Sequence, residues 1–393
     1  MRIARLTAHP LEASFARLYG GAEKVPPSVL RPAAHFQTIP RAGQYATLVA
    51  IEDGEGNVGV GECFGLPHPS ATAGLVAHVA EPALRGRTVE TPADVLRDLA
   101  RYFAALGHVA GPAMEALAGI DMALWDLKAK RAKRSLAAEL GAAARPIPTY
   151  VSPVPFLPAP EESARAAVAW IAKGFRALKL KIGRSVATDL EHIRAVRGAI
   201  PCETLLMLDA NCAYDVPTAI ELARALDPRE VRWLEEPVPP DDPAWTAAVR
   251  AASPVPIAAG ENAFALAQFE ALIRARAADV LMPNIGRAGG VSGLMEIGKR
   301  AVEAGFRVSP HGVGGAVSVA ACVQVCAALP GFELFEVNAL PNPLRDDMLG
   351  TPFRTKDGAI LPLDGPGHGA VPPRAFVEDY RWRGAPTGTP WPL

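Results

Sequence analysis

The sequence predicts an α/β fold whose larger part is a closed parallel barrel of the (β/α)₈ type. From residue 147 onward, short apolar runs alternate with alanine-rich runs of helical periodicity, which is typical of parallel strands joined by right-handed crossover helices. The strand-like runs are IPTYVSP, ALKLKIG, LLMLDAN, VRWLEEP, PIAAGEN, DVLMPN, RVSPHG and FELFEVN. Eight such units over roughly 200 residues fit a barrel, for which about 250 residues are usual.

The two ends of the chain differ from this repeating pattern. Within residues 1–110, the segment TLVAIEDGEGNVGVGE predicts a β-hairpin that turns at Asp53–Gly56. Residues 112–140 have helical periodicity and are followed by Gly141, which predicts one long helix. Residues 356–393 are rich in proline and glycine and contain no strand–helix unit of their own.

Length, composition and charge argue against several functional classes. The chain has 393 residues, is 50% hydrophobic and carries a formal net charge of −1, which gives no reason to expect nucleic acid or a membrane surface as a partner. We identify no signal peptide, and we interpret the apolar stretch 313–329 as a core helix. The five cysteines form no C-x-x-C pair, so we expect a cytoplasmic protein without disulfides. We also expect a homo-oligomer.

A charged or polar residue ends each predicted strand from the second onward. The series is Lys181, Asp209, Glu235, Glu261, Asn284, His311 and Glu336. Successive members are 23 to 28 residues apart, which is the length of one strand–helix unit. Because the carboxyl ends of barrel strands meet at one mouth, where such barrels have their active sites, we expect these side chains to form one site.

Three acids on adjacent predicted strands could share that mouth only if a cation offsets their repulsion. They are Asp209, Glu235 and Glu261. Oxygen-only ligands favour a hard ion, and Mg²⁺ suits a site that keeps positions open for water or substrate. The alternative is an ion-pair network with Lys179 and Lys181, which strand alternation directs to the same face. Alternation also allows only one of Glu235 and Glu236 to face inward, and it does not choose between them.

Eight short motifs lie in order across nearly the whole chain. They are ALWDLKAK (123–130), KLKIG (179–183), LDAN (208–211), WLEEP (233–237), GEN (260–262), MPNIGRAGG (282–290), SPHG (309–312) and PLDGPGHG (362–369). In this order and spacing they resemble the enolase superfamily, in its mandelate racemase and muconate lactonizing enzyme branch. The resemblance implies a (β/α)₇β barrel with an α+β capping domain built from both chain ends. We therefore expect a capping segment at 1–125, the barrel at 126–355 and a tail completing the cap at 356–393.

The resemblance also implies a chemistry, in which the proton α to a carboxylate is removed and the enediolate is held on Mg²⁺. Carried over residue by residue, it gives Asp209, Glu235 and Glu261 as metal ligands, Lys181 as the base and Lys179 as its electrostatic partner. An ordinary lysine is almost fully protonated at neutral pH. We therefore expect the second ammonium and the cation to lower the pKa of Lys181.

The resemblance gives three further residues roles beside the substrate. His311 matches a histidine opposite the lysine, and Glu336, with Glu333 as its competitor, matches an acid that hydrogen-bonds a substrate carboxylate oxygen. The aspartate that usually partners the histidine is here Asn284, which orients the ring but offers no charge, so His311 should be a poorer base. Arg287 lies where some relatives have a lysine base. Since arginine cannot usefully lose a proton, we expect Arg287 to bind an anionic substrate.

Substrate identity depends on loops that the resemblance implies over the mouth. The candidates are ARLYGGAEKVPPS (16–28), with Tyr19 and Lys24, and GECFGLPHP (61–69). Asn211 should also line the mouth, because it lies two residues after Asp209 on the same strand face. The expected partner is a small-molecule carboxylate, and the scarcity of aromatic residues in these motifs favours a hydroxylated acid.

Our first functional hypothesis is Mg²⁺-dependent dehydration of an acid sugar or related hydroxy acid to a 2-keto-3-deoxy acid. Elimination needs one base, whereas racemisation needs two groups of suitable pKa on opposite faces of the substrate. A racemase or epimerase is the alternative. A noncatalytic binding barrel is the third hypothesis, and it is disfavoured because buried lysines and acids cost stability without a role.

Overall fold

An antiparallel sheet of three strands organises the amino-terminal part of the computed structural model, which describes residues 1–384. Its strands are β1 (Ile3–Ser14), β2 (Gly43–Asp53) and β3 (Val58–Cys63). The helices of this part are α1 (Phe15–Tyr19), α2 (Pro27–Leu30), α3 (Pro69–Leu75), α4 (Glu81–Leu84), α5 (Pro92–Ala105), α6 (Pro112–Arg131) and α7 (Leu136–Glu139). The predicted hairpin is confirmed as β2–β3, and in its turn the Asp53 carboxylate accepts hydrogen bonds from the amides of Glu55 and Asn57, both at 2.9 Å.

The prediction of one helix over residues 112–140 is wrong, because the chain forms two helices there. Helix α6 ends at Arg131, and Lys133 adopts a left-handed φ of +54°. A left-handed residue cannot continue a right-handed helix. The Ser135 hydroxyl then accepts a hydrogen bond from the amide of Ala138 at 3.2 Å and caps the start of α7.

Eight parallel strands form the barrel that follows. They are β4 (Ile147–Val154), β5 (Ala177–Lys181), β6 (Leu205–Asp209), β7 (Trp233–Glu235), β8 (Ile257–Ala259), β9 (Val280–Leu281), β10 (Arg307–Val308) and β11 (Phe335–Asn338). The helices between them are α8 (Pro160–Ala172), α9 (Val186–Ala199), α10 (Val216–Arg224), α11 (Pro243–Ala252), α12 (Ala265–Arg274), α13 (Gly290–Glu303) and α14 (Ala316–Cys326). Strand β11 pairs with β4, and a bridge between Val308 and Phe332 joins β10 to the segment entering β11. The predicted (β/α)₇β barrel is confirmed.

The carboxyl-terminal segment returns from the barrel to the cap. Its elements are α15 (Pro343–Asp346), β12 (Thr355–Lys356), β13 (Ala359–Ile360) and α16 (Arg374–Asp379). Strand β13 pairs antiparallel with the start of β4. Beyond α16, the amide of Glu12 donates to the carbonyl of Tyr380 at 2.8 Å, and the amide of Trp382 donates to the carbonyl of Pro10 at 2.9 Å. The tail therefore joins strand β1 of the cap, as the sequence predicts.

The barrel interior below the mouth is filled by apolar side chains. This layer consists of Tyr150, Ala177, Met207, Trp233, Ala258, Val280 and Met282, all buried. On β5, Leu178 and Leu180 face the surrounding helices and pack with their side chains. Alternation along the strand then directs Lys179 and Lys181 to the interior, above the apolar layer. Among residues 1–384, no helix is long and apolar enough to cross a membrane.

Buried carboxylates of the cap bind the amino-terminal ends of two barrel helices. Glu62 on β3 accepts hydrogen bonds from the amides of Gly315 (2.5 Å) and Ser318 (3.1 Å) at the start of α14. Asp121 on α6 accepts one from the amide of Ser292 (2.8 Å) in the first turn of α13. Helix amino termini have amides without intrahelical partners and a positive dipole end, so these carboxylates fix the cap on the barrel.

We predict that Glu62→Gln lowers the free energy of unfolding by about 1–3 kcal/mol. The oxygen of glutamine keeps one of the two backbone hydrogen bonds, but its amide nitrogen is a donor and cannot accept the other. Chemical denaturation measures the change. The matched control is Glu52→Gln in the same hairpin, where the half-exposed carboxylate pairs only with exposed Arg5. Equal unfolding midpoints for the two variants would contradict this account of the cap–barrel contact.

Candidate active site

Two lysines of β5 lie side by side at the barrel mouth and contact its acids. Lys179 is fully buried, and its Nζ lies 2.8 Å from Glu235 Oε2 and 3.2 Å from Glu336 Oε1. Lys181 Nζ contacts Asp209 Oδ2 at 2.5 Å. The strand register aligns these residues, since Lys181 pairs with Asp209 and Asp209 pairs with Glu235. The ion pairs considered above as an alternative to a metal site are therefore present.

Three buried carboxylates nevertheless form a compact cluster of oxygen ligands. Asp209, Glu235 and Glu261 each offer an oxygen, and these atoms lie within 4.8 Å of one another. Oε2 of Glu261 is buried and makes no hydrogen bond with any of the residues that the structure describes. An acceptor atom in that state is expected to have a cationic partner. The cluster therefore fits a hard divalent ion such as Mg²⁺.

Negative charge exceeds positive charge at the mouth. Two ammonium groups face five buried carboxylates, those of Asp209, Glu235, Glu236, Glu261 and Glu336. Burial, and then repulsion from Asp209, raises the pKa of Glu235 well above its usual value despite the attraction of Lys179. A bound divalent cation would relieve this repulsion, which the ion pairs alone do not.

The pKa of Lys181 is raised, although we expected from the sequence that it would be lowered. Burial has the largest single effect and lowers the pKa, but the carboxylates of Asp209, which is in direct contact, and of Glu261 and Glu235 together raise it by more. The contribution of Lys179 has the expected sign and lowers it. We expected a lowered pKa because a nearby cation was included. A cation bound to Asp209 would weaken the attraction between this carboxylate and the protonated lysine and so lower the pKa of Lys181.

Both glutamates of WLEEP are buried at the mouth, so the expectation that only one faces inward is wrong. Strand β7 ends at Glu235, and Glu236 adopts a left-handed φ of +40°, which breaks the alternation. The Glu236 carboxylate accepts two hydrogen bonds from Asn262 Nδ2, both at 3.0 Å. The cluster of three ligand oxygens includes Glu235 and not Glu236.

His311 is held by Asn284 across the ends of β9 and β10. Asn284 Nδ2 lies 3.0 Å from His311 Nδ1, and on the other side of the ring His311 Nε2 lies 3.2 Å from Glu261 Oε2. Burial lowers the pKa of His311, although Glu261 and Glu336 partly raise it. The imidazole is thus favoured in its neutral form.

The eighth strand brings Glu336, and not its competitor Glu333, to the mouth. Glu336 Oε2 accepts a hydrogen bond from the amide of Gly312 at 3.0 Å. Burial raises the pKa of Glu336, but attraction by Lys179 and the other nearby cations outweighs this and lowers it overall. Glu333 instead contacts Arg232 and Arg307.

Asn211 lines the cavity, although it lies beyond the end of its strand. Strand β6 ends at Asp209, and Asn211 has a left-handed φ of +44°. Its position at the mouth therefore comes from a turn and not from the strand alternation that we assumed. Its Oδ1 atom is buried and has no hydrogen-bond partner among the described residues.

Arg287 lines the cavity but is already engaged by the protein. Its side chain lies 3.3 Å from Glu115 Oε1, donates to Asn262 Oδ1 at 3.1 Å and stacks 3.7 Å from the centre of the Phe64 ring. These contacts satisfy the charge and most donor directions of the guanidinium. The expectation that Arg287 binds an anionic substrate receives no support from this geometry.

Two loops of the cap form the outer wall of a cavity of about 650 Å³ over the mouth. The predicted segment 61–69 contributes Phe64, Leu66, Pro67 and His68. Tyr19 and Lys24 are not among the lining residues, since Tyr19 packs against Phe15 and Val25 in a separate apolar cluster. Residues 32–45, which follow the predicted segment 16–28, line the cavity instead. Sequence reasoning missed its Arg41, because no local pattern distinguishes a loop arginine that faces a cavity from a solvated one.

Comparisons with known protein families agree with this geometry. Residues 25–141 match the mandelate racemase/muconate lactonizing enzyme N-terminal domain, and residues 162–375 match the enolase C-terminal domain-like family. The chain belongs to the mandelate racemase/muconate lactonizing enzyme family of the enolase superfamily.

Relatives in this family catalyse several reactions. D-galactarolactone cycloisomerase of Agrobacterium fabrum is 33% identical over 85% of this chain and 90% of that protein. L-talarate/galactarate dehydratase of Salmonella typhimurium is 32% identical over 83% and 80%. L-Ala-D/L-Glu epimerase of Bacillus subtilis is 28% identical over 75% and 79%. The chain is therefore an enzyme of the enolase superfamily, and family membership leaves its reaction class open.

Solved structures of the superfamily share the whole architecture. A member from Polaromonas sp. JS666 has a TM-score of 0.88 and 30% identity over 97% of this chain and 98% of that chain. A Bradyrhizobium enolase in complex with magnesium and mandelic acid has a TM-score of 0.83 and 28% identity over 97% and 98%. Superfamily members thus bind Mg²⁺ and small carboxylates at sites on this fold.

We predict that Glu261→Gln weakens Mg²⁺ binding by about 10- to 100-fold or more, since even changes outside the ligand shell of a metal have effects of that size. Titration calorimetry of the metal-free protein measures the loss. The circular dichroism spectrum should be unchanged, because Oε2 of Glu261 has no hydrogen bond to lose. Glu236→Gln is the matched control, and an equal loss of affinity there would assign Glu236 to the metal.

Proposed function

We propose that the protein catalyses β-elimination from an acid sugar or related hydroxy acid, in its simplest form the loss of water to give a 2-keto-3-deoxy acid. The observation that carries this proposal is the hydrogen bonding of Asn284. Its Oδ1 accepts from the amide of Gly286 at 2.8 Å, and its Nδ2 donates to the carbonyl of Val313 at 2.8 Å. Two backbone groups therefore fix which end of the amide faces His311.

This orientation determines the tautomer of His311. Asn284 presents an N–H to His311 Nδ1, which must accept it, so the neutral ring carries its proton on Nε2. Nε2, which lies 3.2 Å from Glu261 Oε2, is then a donor with no lone pair to offer. Protonating the ring would set an Nδ1–H against the N–H of Asn284. His311 is therefore poorly suited to remove a proton from the substrate.

Racemisation requires a base on each face of the substrate, and the His311 face lacks one. Elimination requires a base on one face only. Lys181 removes the α-proton, and the ammonium so formed returns that proton to the departing β-hydroxide on the same face, which releases water. His311 donates a hydrogen bond from Nε2, and the Glu336 carboxylate accepts one from the substrate. Mg²⁺ on Asp209, Glu235 and Glu261 would stabilise the negative charge of the enediolate and weaken the pull of Asp209 on Lys181.

The relatives are consistent with dehydration but also include other reactions. A dehydratase and a cycloisomerase are among them, as is an epimerase. The bonding of Asn284 favours the first of these over the last. The expected partner is a small-molecule carboxylate, and the noncatalytic barrel is the least supported hypothesis because the lysines and acids of the mouth are brought together.

We predict that the protein converts at least one acid of a hexarate and hexonate panel to a 2-keto-3-deoxy product, and that Lys181→Ala abolishes it. Early product formed in deuterated water and analysed by NMR gives the answer, with Mg²⁺ calorimetry as the control that the variant still binds metal. A deuterated, inverted acid that has lost no water would establish a racemase instead. Absence of both products across the panel would contradict the proposed substrate class.

We further predict that Asn284→Asp creates the second base. An aspartate accepts the Nδ1 proton of His311, frees the Nε2 lone pair and raises the histidine pKa. The variant should therefore wash deuterium into the substrate on the His311 face, which the native protein should not do. Adding His311→Asn to this variant should remove the exchange. Exchange of equal rate in the native protein would show that His311 already acts as a base.

A further inference from the structure

Arg41 is a half-buried cation on the cap side of the cavity. It lies between α2 and β2 and lines the cavity opposite the charged strand ends. Its guanidinium lies 5.6 Å from the ring centre of Phe15 and 5.3 Å from that of Phe36. Its Nε atom is buried and donates no hydrogen bond to any described residue. The aromatic contacts hold the guanidinium in place without neutralising it.

Arg41 differs from the other long cationic side chains of the cavity. Lys181 pairs with Asp209, and Arg287 pairs with Glu115. Within residues 1–384, Arg41 forms no ion pair with a carboxylate. Its polar partner is the neutral Oε1 atom of Gln44, at 2.5 Å. A half-buried guanidinium that has a buried Nε and no counter-ion is only partly compensated by water, so a carboxylate of a ligand in the cavity is a favourable partner for it.

Gln44 fixes the direction of the guanidinium. Its Nε2 donates to the carbonyl of Pro341 at 2.9 Å, which turns Oε1 toward Arg41. Arg41 therefore holds its position before any ligand arrives, and the free edge of its planar fork suits a carboxylate. Burial also lowers the pKa of Arg41 to about 10, as expected for a cation that no carboxylate supports.

We propose that Arg41 binds a second carboxylate at the end of the substrate remote from the reacting carbon, so that the substrate is a dicarboxylate. This inference rests on the proposed function, because it takes the first carboxylate to lie at the acids and lysines of the strand ends. A hexarate would then have a cationic partner at each end, Lys181 with Mg²⁺ at the mouth and Arg41 at the cap, whereas the matching hexonate presents only a hydroxyl to Arg41. Recognition at the cap would thus select aldaric acids, or their lactones that keep one free carboxylate, over aldonic acids.

The test compares hexarates with the hexonates of the same stereochemistry. The probes are galactarate with galactonate and glucarate with gluconate. Affinity is measured by calorimetry on the Mg²⁺-loaded Lys181→Ala protein, which cannot turn the ligands over, and kcat/KM is measured on the active protein. We expect at least one hexarate to bind about tenfold or more tightly than its hexonate, because a hydrogen bond to a charged partner is worth about that ratio or more.

Substitutions then assign this preference to Arg41. Arg41→Met should reduce the hexarate-to-hexonate ratio of kcat/KM by about 10- to 100-fold, with most of the change in KM. Arg41→Lys should give a ratio between those of the native protein and Arg41→Met, because lysine keeps the charge but loses the planar fork of the guanidinium. Arg17→Met is the matched control. It removes a cap arginine that pairs with Asp379 outside the cavity, so the ratio should not change.

Two results would overturn the inference: equal affinities for the hexarate and hexonate of every pair, or an Arg41→Met variant that weakens both by the same factor. The binding arm separates these failures from a failure of the proposed function. If no acid is dehydrated but hexarates still bind through Arg41, the reaction is wrong and the dicarboxylate site stands. If hexonates are dehydrated as efficiently as hexarates, the reaction stands and the site is wrong.

Discussion

The ammonium of Lys179 is buried, without contact with solvent, among the carboxylates of Asp209, Glu235 and Glu336, and the geometry of the mouth depends on this cluster. Buried ion pairs contribute little net stability, because desolvation cancels most of their attraction. Such a cluster therefore has to be held by something else. The strand register does this, since Lys181, Asp209 and Glu235 end three neighbouring strands at one level. The apolar layer around Trp233 below them keeps water from the lower side.

The excess of negative charge gives the cluster its chemistry. One divalent cation would offset most of this excess and, under the proposed function, make Lys181 available for proton transfer. Without it, Asp209 holds Lys181 in its protonated form, as the raised pKa shows. Under the proposed function, metal binding and activation of the base are coupled, because Asp209 both contacts Lys181 and belongs to the ligand cluster. Because of this coupling, a change to any of the two lysines or three acids is expected to alter the charge state of the others.

The cap supplies the outer wall of the cavity, where we propose that the rest of the substrate is recognised. Glu62 and Asp121 fix its sheet and long helix to the starts of two barrel helices, so the loops above the mouth are anchored from below. Phe64 stacks on Arg287, and Arg41 lies on the opposite segment of the cap. The chemistry is therefore built on short barrel strands, and selectivity is built on loops whose positions depend on the cap–barrel contact.

The barrel and the strand-end residues could be predicted because they follow periodic rules. Strand alternation and the repeat length were enough to bring Lys181, Asp209 and Glu261 to one mouth. The rules fail where the backbone is no longer extended. Glu236 and Asn211 have left-handed φ values, which break the alternation. They also fail for Arg41, because the position of a loop depends on tertiary contacts such as that of Gln44 with Pro341, 297 residues away in sequence.

The same limit applies to the proposed reaction class, the support for which rests on a single side-chain amide. Asparagine and aspartate have nearly the same shape, and the sequence shows only that a charge is missing at position 284. The structure adds that Gly286 and Val313 fix the amide with its N–H toward His311. An aspartate in that place would accept a proton from the ring, whereas this asparagine donates one, so the proton of His311 moves to the opposite nitrogen. Under the proposed function, a barrel that is otherwise equipped for either reaction thereby retains one base, and one base suffices for elimination but not for racemisation.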